Sequence, residues 1–222
     1  MTSPHSMHWF AQIEPFRSHP GLGSLIGYIF GCFTTGYYLV RWRTGQDIRQ
    51  IGSGSCGGRN VGRQLGKLGF FLTVLGDFWK GAAAVLLTRY LAANETAVLW
   101  AVIGVVAGHI WPVQLGFHGG KGVAACMGAL SFVSFTLAVS YCVLTLIGMA
   151  ITRKSVLPGL VAFALLPSVA YFLKFDAQSL AAISVLASII LTAHYRNVIQ
   201  EINQLLPRHR KVEAQPKAES TK

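Results

Sequence analysis

The sequence predicts an all-α, polytopic membrane helical bundle of about seven transmembrane helices, with its N-terminus outside and its C-terminus cytoplasmic. Apolar residues make up 52% of the 222 and charged residues only 12%, more apolar surface than one water-soluble core covers without leaving large exposed patches. The apolar residues run continuously, over lengths that meet or approach the roughly 20 residues of a spanning helix. They lack the strict alternation of an outer-membrane barrel. The net charge of +11 is gathered in a few connecting segments, which reads as membrane topology and not as nucleic-acid binding.

Residues 1–19 hold no apolar core behind a basic start and no small-residue cleavage pattern, so they read as an N-terminal tail and not as a cleaved signal peptide. Apolar runs at about 20–40, 68–93, 96–107, 123–152, 156–173 and 178–193 furnish the helices of one membrane unit, 20–206. The run 123–152 would be about 45 Å long as a single helix, against a hydrocarbon core of roughly 30 Å. Six basic residues lie in 41–67, six in 194–222, and Arg153 and Lys154 form a third group. One span starting inside would place Arg153 and Lys154 outside; two short helices broken near Ser131 to Phe135 keep all three groups cytoplasmic. That gives seven crossings, with 41–67, 108–122 and 194–206 on one face. Residues 207–222, rich in charge with Pro207 and Pro216 near the ends, read as a basic disordered tail able to touch anionic lipid.

Two of those connecting segments carry glycine and positive charge together: Gly52-Ser53-Gly54-Ser55-Cys56-Gly57-Gly58-Arg59-Asn60-Val61-Gly62-Arg63, and Gly108-His109 through Gly119-Gly120-Lys121-Gly122. Glycine lets backbone N–H groups approach a ligand closely, and Arg63 and Lys121 supply the charge that phosphate oxygens attract. Irregular backbone at membrane depth is tolerated where it lines an enclosed cavity, so the two segments are expected to build one pocket. Gly52-x-Gly54-x-x-Gly57 matches the dinucleotide fingerprint formally, but no strand and helix alternation surrounds it; Lys121 is followed by Gly122 and not by the hydroxyl residue of a P-loop. Ser53 and Asn60 can donate to a phosphate or carbonyl oxygen, or serve as turn residues. His109 and His194 each fit a general base, a phosphate donor or an interfacial cap. Asp77 and Lys80, one helical turn apart within an apolar run, read as a structural pair facing the bundle interior behind the site. Cys32, Cys56, Cys126 and Cys142 form no C-x-x-C pair, so neither a metal nor a redox centre is expected.

Asp47-Ile48-Arg49 with the Gly52 to Arg63 segment, Leu75-Gly76-Asp77-Phe78-Trp79-Lys80-Gly81, Gly108-His109 through Gly119-Gly120-Lys121-Gly122-Val123-Ala124, and His194-x-x-Asn197-Val198 resemble the PlsY family. These are bacterial acyl-phosphate:glycerol-3-phosphate acyltransferases, and the likeness spans roughly residues 20–202. It implies a seven-helix inner-membrane protein with three cytoplasmic motifs. It also implies transfer of a fatty acyl group from acyl phosphate to the 1-hydroxyl of glycerol 3-phosphate, without metal or other cofactor. Ser53, Arg63, Lys121, His194 and Asn197 stand at the positions that handle substrate and phosphate in this family. Arg49, Gly52, Gly54, Asn60, His109, Gly119 and Gly120 complete the expected substrate-binding set.

The chain departs from the family pattern at Gly52-Ser53-Gly54-Ser55, at Gly57-Gly58-Arg59-Asn60, at His118 where a lysine is usual, and at Ile199-Gln200-Glu201 where an arginine and a Gly-x-Glu end are usual. Arg59 supplies a nearby compensating cation. The alternatives are a related membrane acyltransferase with a different acceptor, or a non-catalytic binder of an anionic lipid precursor.

Overall fold

The computed structural model describes residues 20–92, 94–154, 156–196 and 198–199. Among them the chain forms eight α-helices and no strand: α1 Pro20–Cys32, α2 Thr35–Thr44, α3 Gly58–Leu91, α4 Glu95–Ile110, α5 Val123–Val133, α6 Phe135–Thr152, α7 Leu157–Phe172 and α8 Ala177–Ala193, with 3₁₀ turns at Ile48–Gln50 and Val113–Leu115. The stretches Gly58–Leu91, Glu95–Leu115 and Phe135–Thr152 are long and apolar enough to cross a membrane. Exposed Leu, Ile, Phe and Trp side chains cover the outside of the bundle, Ile29, Phe71, Trp79, Leu146 and Phe172 among them, as a lipid-facing surface requires.

The predicted break in 123–152 falls at Ser134, whose Oγ accepts from the Leu137 N–H at 3.3 Å and so starts α6 afresh. A second break was not expected. The run read as one stretch over 20–40 is interrupted at Phe33 and Thr34. Carbonyls released there are taken up by side chains: Lys80 Nζ donates to Phe33 O at 2.7 Å and to Gly31 O at 3.2 Å, and Gln114 donates to the Cys32 carbonyl. Thr35 N–H and Oγ1 donate to Asp77 Oδ1. Breaking a helix inside a bilayer costs several kcal/mol unless the freed groups find partners, and the buried pair provides them.

Close backbone contact holds the bundle together. Lipid tails are as apolar as leucine, so helix association in a membrane depends on fit. A Cβ on Gly27 of α1 would stand 2.2 Å from Ala101 O of α4, and one on Gly104 of α4 would stand 2.4 Å from Ser24 O. The same device joins α3 to α5, where a Cβ on Gly81 would meet Ala125 O at 2.0 Å and one on Gly128 would meet Phe78 O at 1.8 Å. Around these seams Val98, Val105, Leu130, Phe163, Leu166 and Ile190 form the buried apolar core.

Helix α3 contains an elbow. Gly66 lies at φ 71°, ψ −168°, a region essentially confined to glycine, so Gly58–Leu65 turns away from the long axis of Lys67–Leu91. The second half of the first glycine segment is therefore helix and not loop.

Candidate active site

The two glycine-rich segments are tied to one another before they build anything else. Asp47 caps the Ile48–Gln50 turn, accepting from Arg49 N–H at 3.0 Å, and pairs with the Arg49 guanidinium at 2.5 Å. That bond holds the Asp47 carboxyl below its ordinary range and raises Arg49. Arg49 also donates to Leu115 O at 2.6 Å, and Cys56 N–H donates to Gly119 O at 3.2 Å. The second segment leaves α4 at Ile110, turns through Val113–Leu115 and returns, so that Gly120 N–H donates to His109 O at 3.0 Å and Gly119 N–H to Ile110 O at 3.1 Å. Lys121 follows directly.

Asn60, 2% exposed, shapes the first segment from within. Its Nδ2 donates to Ile51 O at 2.9 Å and Ser55 O at 3.0 Å, while Oδ1 accepts from Ser53 N–H at 3.2 Å. A Cβ at Gly52 would stand 2.4 Å from that Oδ1, and φ is +60° there, so both space and backbone ask for glycine.

One cavity of about 580 Å³ opens between these segments and the helices. Ser53, Ser55, Arg59, Arg63, Lys121 and His194 contribute its polar lining. Phe70, Val74, Phe78, Met127, Leu160 and Phe163 contribute an apolar one from α3, α5 and α7. Asn60, Asp77, His109 and Tyr141 also face it. Arg59 and Arg63 are four residues apart on the first segment of α3, hence on one face. Burial lowers Lys121 to about 8, with the neighbouring Arg59 charge assisting. His194 is likewise lowered, first by burial, against the opposing effect of its bond to Ile190 O. Its Nδ1 lies 2.8 Å from that carbonyl. A carbonyl only accepts, so the proton sits on Nδ1 and Nε2 keeps its lone pair.

The sequence profile described as glycerol-3-phosphate acyltransferase matches residues 22–204. The chain belongs to this family. A glycerol-3-phosphate acyltransferase 1 of Desulfitobacterium hafniense is 41% identical over 184 residues, covering 82% of this chain and 91% of that one. A glycerol-3-phosphate acyltransferase of Jannaschia sp. is 38% identical over 178 residues, covering 80% and 87%. The fold matches a crystal structure of PlsY, an integral membrane glycerol 3-phosphate acyltransferase, in its glycerol 3-phosphate form, with a TM-score of 0.76, 26% identity and coverage of 83% and 92%. The all-helical membrane architecture is thus that of PlsY.

Of the residues that the PlsY resemblance singles out, Ser53, Arg63, Lys121, His194, Asn60 and His109 line the common cavity. Arg49, Gly52, Gly54, Gly119 and Gly120 are not among its lining; they brace and bend the segments behind it. Asn197 lies outside the described residues. His118 is exposed and also absent from the lining, its Nδ1 2.5 Å from Gly116 O. Sequence reasoning gave Arg59 only a compensating part and overlooked Ser55 and Tyr141. The i, i+4 spacing of Arg59 and Arg63 was the available signal, hidden because Gly57-Gly58 and Gly62 read as loop. Asp77 and Lys80 form the expected structural pair, 2.9 Å apart, and His109 joins them.

Proposed function

We propose that this membrane enzyme transfers a fatty acyl group from acyl phosphate to the 1-hydroxyl of glycerol 3-phosphate, yielding lysophosphatidic acid and inorganic phosphate. A single observation carries the reading: cations from two distant segments, Arg63 and Lys121, share one cavity with Ser53 and His194 on the polar side and phenylalanines on the other. Two phosphate groups and an acyl chain need that combination. The volume lies within the range of pockets for such ligands.

An acyl phosphate is already activated, so the protein's work is alignment and stabilisation of developing charge. The glycerol 3-phosphate hydroxyl oxygen attacks the carbonyl carbon, and the bond from that carbon to the phosphate oxygen breaks. Lys121, Arg63 and Arg59 hold phosphate oxygens, Ser53 donates to an oxygen of the reacting groups, and Asn197 assists from the third motif. The hydroxyl proton passes to His194 Nε2, whose lone pair is free of the Ile190 bond, or to the departing phosphate. The acyl chain lies along Phe70, Phe78, Met127 and Phe163.

The working topology has seven crossings, α1 and α2 together making the first. Its N-terminus is outside, its site faces the cytoplasm of a bacterial inner membrane, and tails 1–19 and 207–222 flank a catalytic unit at 20–206. Arg41 and Arg43, Arg153 and Lys154, and the basic C-terminal residues support this orientation. Because His118 is not part of the cavity lining, its replacement of the usual lysine leaves the acceptor reading intact.

Purified protein given acyl phosphate and glycerol 3-phosphate is expected to form lysophosphatidic acid and phosphate in equal amounts. Acylation of another alcohol with glycerol 3-phosphate ignored would assign a different acceptor, and binding without turnover would make the chain a non-catalytic binder.

A further inference from the structure

Asp77 is 2% exposed and yet lines the cavity. The bonds it makes within the protein fall on one of its two oxygens. Thr35 N–H donates to Oδ1 at 3.4 Å and Thr35 Oγ1 donates to it at 3.1 Å, and the Lys80 ammonium lies 2.9 Å from the same atom. Oδ2 takes no hydrogen bond from the described residues. Unlike the Oγ1 atoms of Thr34 and Thr145, it is not sealed in protein either, so the small open part of Asp77 is an acceptor facing the cavity. A carboxylate oxygen without a donor, beside apolar walls, is costly until a ligand supplies one.

A hydroxyl can donate to that oxygen, whereas an ionised phosphate offers only acceptor oxygens and is repelled. The cavity's cations stand close enough to hold the other end of the same small molecule. His109 Nδ1 is 3.6 Å from Asp77 Oδ1, and the far edge of that imidazole packs against Gly120, where a Cβ would stand 2.0 Å from Nε2. Lys121 is the next residue. One imidazole width therefore separates the carboxylate from the segment that carries the cation.

We propose that Asp77 Oδ2 accepts a hydrogen bond from the 2-hydroxyl of glycerol 3-phosphate and so fixes which end of the acceptor faces the charges of Arg63 and Lys121. Asp77 is a substrate-binding residue; Thr35 and Lys80 are positioning residues that occupy Oδ1 and leave Oδ2 outward. The 1-hydroxyl is the poorer match, because its attack builds negative charge at the acyl carbonyl, which an adjacent carboxylate opposes. The proposal deepens the acyltransferase reading and rests on it for the identity of the acceptor.

Calorimetric titration of the full chain in detergent micelles compares glycerol 3-phosphate with 3-hydroxypropyl phosphate, which lacks only the 2-hydroxyl. The parent is expected to bind glycerol 3-phosphate at least about tenfold tighter, the worth of one hydrogen bond to a charged group. Asp77→Leu combined with Lys80→Met removes the acceptor and leaves neither charge alone, and should bring the two affinities within about threefold of one another. Asp77→Asn, which keeps an oxygen for Thr35 and Lys80, is expected to narrow the ratio as well and replaces the double variant if that does not fold. A residue that only held the fold would weaken both ligands alike. 2-Hydroxypropyl phosphate, which lacks only the 1-hydroxyl, should lose affinity by the same factor in parent and variants. Equal binding of glycerol 3-phosphate and 3-hydroxypropyl phosphate by the parent, binding of neither, or a ratio that the variants leave unchanged overturns the proposal. A change confined to the 2-hydroxypropyl phosphate ratio overturns the assignment to the 2-hydroxyl. Binding needs no acyl donor, so absence of acyl transfer with this discrimination intact would defeat the functional reading alone.

Discussion

Lys121 is the residue whose chemistry depends most directly on its surroundings. Burial and Arg59 lower its ammonium to about 8, so in the ligand-free protein the charge is present below that pH and lost above it. A phosphate-bearing ligand binds the protonated form, and KM for glycerol 3-phosphate is therefore expected to rise as pH passes upward through about 8. Lys121→Arg, charged throughout this range, should remove that rise; a profile identical to the parent's would place the titration elsewhere. Asp77 and Lys80 allow a stability test. Removing one partner leaves a buried charge and costs about 3–5 kcal/mol, so Asp77→Leu and Lys80→Met should each lower the melting temperature in detergent, and the double variant should recover part of the loss. Asp77 and Lys80 were legible in the sequence as a pair because their spacing is local. Their bonds to the α1–α2 break and to His109 were not, since they join residues 29 to 49 positions apart.

At the scale of elements, glycine decides how near helices come and where they turn. Gly23, Gly27 and Gly31 face α4, while Gly104 and Gly108 face α1, a four-residue small-residue pattern readable in the chain beforehand. Gly27→Leu should force α1 from α4 and lower thermal stability; an unchanged melting temperature would show that the seam is not close-packed. Gly66 has open space around a new Cβ, and its backbone alone is demanding, at about 1–3 kcal/mol for another residue. Gly66→Ala should therefore cost more in activity than in stability, because straightening the elbow re-aims Arg59 and Arg63. Equal kcat/KM would mean the elbow does not position them. The break at Ser134 was predictable from charge parity and length, whereas that at Phe33 and Thr34 was not, because the groups that satisfy it come from α3 and the 113–115 turn.

Across the whole molecule, apolar composition and the clustering of basic residues carry the helical membrane architecture, and the glycine-cation segments point to a shared pocket. What sequence could not separate was scaffold from lining. Arg49 and Arg63 look alike in a string of residues, yet one braces the two segments and the other faces the cavity, a distinction made by distant partners such as Leu115. The central claim is that Arg63 and Lys121 act together on phosphate in one site, and steady-state release of phosphate from acyl phosphate and glycerol 3-phosphate tests it most directly. Arg63→Ala and Lys121→Ala, each folded as judged by melting temperature, are expected to lower kcat/KM at least about tenfold, or about 1.4 kcal/mol of transition-state stabilisation. Turnover equal to the parent's in both variants would contradict it.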